Sequence, residues 1–229
     1  MPEDDKSAEN PERANRILDA ALKLISHYGY DKTTVGEIAA EAGVSKGAIY
    51  LHWSSKEELF EALVWRETWR YTDDFMARVE ADPDGGTLFG MFKHSLAALP
   101  DHPFIQALVG KDRRILGDLI RRDHGRLLQN RCQMSKEFFR QMQDAGAIRA
   151  DLDPAIVAYI GSVLRYGFIS IDEVIPPDEA PPLEAVLDAV VDIFSRAWTP
   201  EGGGNSEAGK RIIAHMLAAY RQQRESDGS

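Results

Sequence analysis

Apolar residues along the chain recur mostly at intervals of three and four, the spacing that lines one face of a helix. No alternating apolar and polar run bounded by turn residues marks a strand, so the pattern predicts an all-α fold. Its punctuation is densest near the start. Asn10-Pro11 reads as an N-cap followed by proline at the first helical position, with Ile17, Ala21, Leu24, Ile25 and Tyr28 on one face and Gly29 as the stop. Thr34-Val35-Gly36-Glu37 has the form of a capping box, in which both side chains satisfy orphan N–H groups, and it opens a short helix to about Ala42. Gly43 can take the left-handed conformation that ends this helix, and Ser45 can cap a third, short one from Lys46 to about His52. Ser55-Lys56-Glu57-Glu58 is a second capping box, opening a long helix with Leu59, Phe60, Leu63, Met76 and Val79 among its apolar positions.

Beyond Asp82-Pro83-Asp84-Gly85-Gly86 the helices lengthen, which predicts a second helical domain. Its helices are expected at about 87–98, 102–109, 112–145, 154–175, 183–198 and 207–224, with ends good to a few residues. The proline-rich stretch Pro176 to Pro182 and the glycine-rich stretch Thr199 to Asn205 are loops. Both ends of the chain are polar and without periodicity. The expected organisation is therefore a disordered N-terminus over 1–10, a three-helix helix-turn-helix domain over 11–56, a connecting helix over 57–82, a larger helical domain over 83–224 and a disordered tail over 225–229.

Charge changes the picture. The chain carries 27 Lys and Arg against 37 Asp and Glu, a net of −10, which excludes a protein that coats nucleic acid by bulk attraction. Yet Gly43 to Lys56 contains Lys46, His52 and Lys56 and no acid before Glu57. A helix-turn-helix needs two short helices meeting steeply through a tight turn, so that the second can enter the major groove. Val35, Ile38, Ala39 and Ala42 supply the inner face of one, Val44 and Ile49 that of the other, and Gly43 the turn. Other chemistry is missing: the six histidines show no His-Glu-x-x-His spacing, and there is no glycine-rich phosphate loop or Gly-x-Ser-x-Gly elbow. Neither an enzyme nor a cofactor or metal site is expected. Cys132 is the single cysteine, which excludes an internal disulfide. Without a long apolar run or a signal-like N-terminus, a cytoplasmic protein with no membrane association is expected.

Thr33-Thr34-Val35-Gly36-Glu37-Ile38-Ala39-Ala40-Glu41-Ala42-Gly43-Val44-Ser45-Lys46-Gly47-Ala48-Ile49-Tyr50-Leu51-His52-Trp53, followed by Ser55-Lys56-Glu57-Glu58-Leu59, resembles the DNA-binding domain of the TetR family over about residues 12–65. The resemblance implies that Thr33, Thr34, Ser45, Lys46, Gly47, Ala48, Tyr50, Leu51, His52 and Lys56 line the DNA. Lys46 and Lys56 take positions that contact phosphates, where each contact adds salt-dependent affinity. Gly47, unfavourable inside a helix, implies close approach of backbone to DNA, with helix packing as the rival explanation. The Ala48 methyl suits a thymine methyl, and Tyr50 and His52 suit phosphate or base edges. Thr34 can cap its helix and hold a phosphate at once. Ile49 and Trp53 are read as core. Leu51 departs from the usual polar or aromatic residue.

For the second domain the resemblance implies a ligand-binding and dimerisation module, and for the whole a repressor released from its operator by a small apolar or amphipathic effector. Candidate pocket residues are Trp65, Trp69, Phe92, Phe104, Phe138, Tyr159, Arg165 and Tyr166, with Arg165 suited to an acidic ligand or to a salt bridge at a dimer seam. Helix 183–198 is apolar over more than one stripe, so it needs two buried faces. Val186, Val190, Ile193, Phe194 and Ala197 are the expected homodimer contacts, unless helix 207–224 covers them. A two-fold dimer implies a palindromic double-stranded operator.

Overall fold

Every regular element among the described residues is helical. The computed structural model describes residues 5–110, 112–116, 136–171, 174–176, 178–201 and 204–227. In chain order the helices are α1 (Asp5–Tyr28), α2 (Val35–Ala42), α3 (Lys46–Tyr50), α4 (Lys56–Ala81), α5 (Leu88–Ala97), α6 (Pro103–Val109), α7 (Arg113–Leu116), α8 (Lys136–Asp144), α9 (Pro154–Ser170), α10 (Leu183–Trp198) and α11 (Ser206–Asp227). A 3₁₀ turn, Leu99–Asp101, precedes α6.

The chain divides into two units, and the division falls inside α4 between Arg70 and Tyr71. The first unit holds the chain up to Arg70 and again from His102 through α7. Its core is the predicted one: Ile17, Ala21 and Ile25 of α1, Ile38 and Ala39 of α2, Ile49 of α3, and Leu59, Phe60 and Leu63 of α4 are buried. To these the structure adds Phe104, Ile105, Leu108 and Leu116. The sequence places α6 and α7 with the second domain, and this is corrected: the Tyr30 N–H donates to the Ile115 carbonyl at 2.8 Å. Gly29 makes that docking possible. Its φ of +87° turns the chain out of α1, and a β-carbon built there would lie 2.4 Å from the Arg114 carbonyl oxygen. The Phe60 ring, edge-on to Tyr30 at 4.9 Å and to Phe104 at 6.1 Å, fills the space between.

The second unit holds Tyr71–Asp101 and the chain from α8 onward. Phe75 and Val79 of α4, Met91 of α5, Phe138, Phe139 and Met142 of α8, Val157 of α9 and Ile213 of α11 form one buried cluster. Ile212, Met216 and Leu217 pack against it, so the apolar stripe predicted on the last helix is spent here. Asp153 caps α9 by accepting from the Ala155 N–H at 2.8 Å, with Pro154 in the first turn where its missing donor costs nothing.

Three boundaries differ from expectation. Asp5 to Asn10 continue α1 upstream, so Pro11 lies inside the helix, Asn10 is not its cap, and 5–10 is not disordered. Acids in a first turn complement the positive end of the helix dipole, which favours the earlier start. α9 ends at Ser170 rather than 175, because Ile175 precedes Pro176 and proline disfavours helical backbone in the residue before it. α11 runs to Asp227, past 224 and through part of the predicted tail. Residues 117–135, including most of the predicted helix 112–145 and Cys132, lie outside the described residues.

Candidate nucleic-acid interface

The interface is built by local caps. Thr34 Oγ1 accepts from the Glu37 N–H at 3.2 Å while Glu37 Oε2 accepts from the Thr34 N–H at 2.8 Å, which is the predicted capping box. The Thr34 hydroxyl also donates to Glu37 Oε2 at 2.8 Å, and this bond first and the Thr34 N–H second hold the Glu37 carboxyl below the usual carboxylate range. Gly43 takes the left-handed conformation, φ 67° and ψ 35°, and its N–H returns to Ala39 and Ala40 carbonyls. Two residues later Ser45 Oγ accepts from the Ala48 N–H at 3.1 Å and starts α3. Buried Ile38 and Ile49 anchor the two helices on the core. At the start of α4, Ser55 Oγ accepts from the Glu58 N–H at 3.1 Å, but the Glu58 carboxylate reaches one residue further back than a capping box requires, to the Ser54 N–H at 2.7 Å.

This scaffold exposes Lys46, Gly47, Tyr50 and Leu51 and leaves Ala48 half-buried. Leu51 is 80% exposed, an apolar side chain held out at the end of α3. Gly47 has open space on its side-chain face: a β-carbon built there would meet only Ser45 Oγ, at 3.7 Å. Helix packing therefore does not explain this glycine. Gly36, unremarked in the sequence, has the opposite surroundings, since a β-carbon there would lie 2.6 Å from Lys46 Cε and 2.9 Å from Nζ. The bare Gly36 backbone lets the Lys46 ammonium lie across the first turn of α2, next to the positive end of the helix. Two positive groups so placed suit an anion between them, and a DNA phosphate would meet both.

Three predicted contacts are placed differently. Thr33 is buried and its hydroxyl donates to the Gly29 carbonyl at 2.9 Å, so its polar group closes the α1–α2 turn instead of facing outward. Lys56 is half-buried; its ammonium donates to the Tyr30 carbonyl at 2.6 Å and sits 4.0 Å from the Tyr30 ring centroid. That makes it a tie between α4 and the loop before α2. Lys56→Met should lower stability by about 1.5 to 3 kcal/mol, the range for a hydrogen bond to a charged group, read as a fall in the urea midpoint. The phosphate role predicts the reverse, an unchanged midpoint with a weaker salt dependence of DNA binding. His52 is half-buried, and desolvation together with the nearby Arg13 charge lowers its pKa from the ordinary histidine value, so it is a neutral acceptor at pH 7 and not a cation.

Residues 17–63 match the family described as bacterial regulatory proteins, tetR family. The transcriptional regulator AcrR of Shigella flexneri is 39% identical over 74 residues, which span 32% of this chain and 32% of that protein. The transcriptional repressor Rv1474c of Mycobacterium tuberculosis is 27% identical over 186 residues, 81% of this chain and 94% of its own length. Over residues 17–63 the chain is therefore similar to the TetR family, and the relatives it matches over most of its length are named as transcriptional regulators. The fold of the chain is also that of the regulator FadR of Bacillus subtilis, with TM-score 0.58 and 18% identity over 78% of this chain and 96% of that one.

The ligand candidates divide between the two units. Trp65, Trp69 and Phe104 fall in the first unit, and Phe92, Phe138, Tyr159, Arg165 and Tyr166 in the second. Phe92, Phe104 and Phe138 are buried core, because helices apolar enough to suggest a pocket also build the interior. Tyr159 and Tyr166 are exposed on α9, Arg165 is half-buried between them in sequence, and Trp65 and Trp69 stack on each other at 6.1 Å. A different aromatic group emerges in the second unit: Phe89 stacks on Phe194 at 5.0 Å and meets Trp198 at 5.3 Å, while Phe92 meets Phe168 at 6.0 Å. Phe194 is thereby turned into its own unit, away from the predicted dimer contacts. A cleft of about 620 Å³ lies in the first unit, lined by His27, Tyr28, Asp31, Lys32, Asp112 and Arg114 among others. None of the predicted aromatics lines it, and its charges do not suit an apolar ligand.

Proposed function

We propose that the protein is a cytoplasmic homodimeric repressor that holds a palindromic operator and releases it when a small apolar or amphipathic molecule binds the second unit. The observation that carries this reading is an apolar face without a partner. On α9, Ile156, Tyr159, Val163 and Tyr166 follow one another at helical spacing and are 59%, 72%, 53% and 60% exposed. On α10, Ile193 is 60% exposed and Ala197 is exposed beside the half-buried Val186 and Val190. α11, the rival cover, packs on α8 instead. Large apolar groups repeated along two helices are the surface of an interaction site, and a second copy supplies the same surface twice. The helix-turn-helix then occurs twice about a two-fold axis, which suits an inverted repeat.

Repression is supported by Rv1474c, a relative named as a repressor that this chain matches over most of its length. An apolar effector is supported by the aromatic group of Phe89, Phe92, Phe168, Phe194 and Trp198, of which Phe168, Phe194 and Trp198 are only half-buried. The FadR neighbour was solved with stearoyl-CoA, which makes that compound a reasonable first probe. Selection of bound DNA from a random pool should return an inverted repeat with half-sites about one helical turn or more apart. Recovery of a lone half-site would overturn the dimeric reading. An effector that acts as proposed will dissociate the selected DNA and quench Trp198 fluorescence, and dissociation without any change at Trp198 would remove the aromatic group from the effector site.

A further inference from the structure

Of the three basic residues in the acid-free segment, Lys46 is exposed, Lys56 is half-buried with its ammonium still charged and donating to the Tyr30 carbonyl, and His52 accepts a hydrogen bond at Nε2. A protein with net charge −10 needs local positive charge to hold a polyanion. The structure brings one from outside the segment. Arg13, on α1 and 39 residues away in sequence, donates its Nε–H to His52 Nε2 at 3.3 Å. We infer that Arg13 is a phosphate-binding residue of the DNA face and that His52 is the positioning residue that aims it. The inference rests on the DNA-binding reading and adds to it a residue that lies before the family match, which begins at residue 17, and that is not among the expected DNA contacts.

The chemistry follows from which atoms are used. An Nε–H bond uses one donor of the guanidinium and leaves the Nη end, with one N–H from each Nη running parallel in the plane of the group, for another acceptor. Such a fork matches two oxygens of a phosphate. Arg66, Arg70 and Arg114 of the same unit each have a carboxylate partner: Asp19 and Glu67 for the first two, Asp112 for the third. No carboxylate among the described residues pairs with Arg13. Its neighbour instead is a neutral imidazole, which accepts at Nε2 and must therefore carry its proton on Nδ1. An arginine steered by a neutral group keeps its full charge for an external anion. His52 follows Leu51, the C-cap of α3, so the helix that enters the groove also sets where the fork sits.

The test is a salt titration of operator and unrelated DNA with the full-length protein. Arg13→Gln keeps a donor for His52 but removes the charge. It should lower affinity for both DNAs by the same factor, about tenfold, and reduce the slope of log K against log salt by about one per protomer. His52→Ala should weaken binding severalfold with the slope unchanged, because no charge is lost, and His52→Gln, which keeps an acceptor, should recover most of the loss. Thermal unfolding of each variant separates these effects from folding. If wild type binds DNA with a salt-dependent constant and Arg13→Gln keeps its full slope, the assignment of Arg13 is wrong and the DNA-binding reading stands. Equal losses for His52→Ala and His52→Gln would overturn the positioning role. If wild type binds no DNA in the selection, both readings fall together.

Discussion

Aspartate at Ile193, combined with Val163→Asp, should turn the protein into a monomer and lower operator affinity by roughly a hundredfold or more, the scale set by losing one of two linked binding heads. Both side chains are more than half exposed in the isolated chain, so neither substitution opens a cavity or strands a buried partner. Surface changes of that kind alter stability by about 0.5 kcal/mol or less. In a two-fold pair the same positions face copies of themselves or of their neighbours on α9 and α10, and each carboxylate appears twice. Four charges would then be desolvated against Ile156, Tyr159 and Tyr166 without a cation to match them. Sedimentation should show the change in mass, and thermal unfolding at high protein concentration should lose its dependence on concentration. The pairing proposed for these helices fails if the double variant still sediments as a dimer, or if it is monomeric and binds the operator as tightly as wild type.

The helix-turn-helix was legible because its determinants are local. Thr34 with Glu37, Gly43, and Ser45 with Ala48 act within five residues of one another, so spacing in the sequence is spacing in the structure. Ile38 and Ile49 were readable as core for the same reason, since a helical period assigns a face without knowing what covers it. The errors lie where a side chain is claimed by a residue far along the chain. Lys56 is taken by Tyr30, 26 residues before it, and His52 by Arg13. Thr33 is adjacent to the correctly read Thr34, but the Gly29 carbonyl turns it inward. Gly36 carried a signal that could have been used: a glycine in the first turn of a helix is unfavourable, and here the end of the Lys46 side chain lies where its β-carbon would be. In the second unit the helical period told which positions are apolar but not which neighbour each meets. Phe92, Phe138 and Tyr159 looked alike as candidates, and only packing separates two core residues from one on an exposed face.

The glycine at position 47 offers the cleanest separation of protein from DNA effects. Inside the protein nothing needs it: its φ is not in the left-handed region, and a β-carbon would touch only Ser45 Oγ at 3.7 Å. Alanine there should raise stability, by up to about 1 kcal/mol, because glycine is the less favourable helix residue. At the DNA the sign reverses. In the proposed docking α3, five residues long, meets the groove through its N-terminal turn, so each carbon added at position 47 would stand between the helix backbone and the groove wall. Gly47→Ala should weaken operator binding about tenfold, near 1.4 kcal/mol, and Gly47→Leu by a further factor of about ten or more. The salt slope should not move, because Lys46 and Arg13 keep their charges, and this distinguishes steric exclusion from loss of a phosphate contact. A graded loss of affinity against a level or rising unfolding temperature is thus the expected signature. Gly47→Leu binding as tightly as wild type would mean that the backbone of α3 does not approach DNA at this residue, and Leu51, the apolar side chain held furthest into solvent on that face, would become the first place to look for the contact that does.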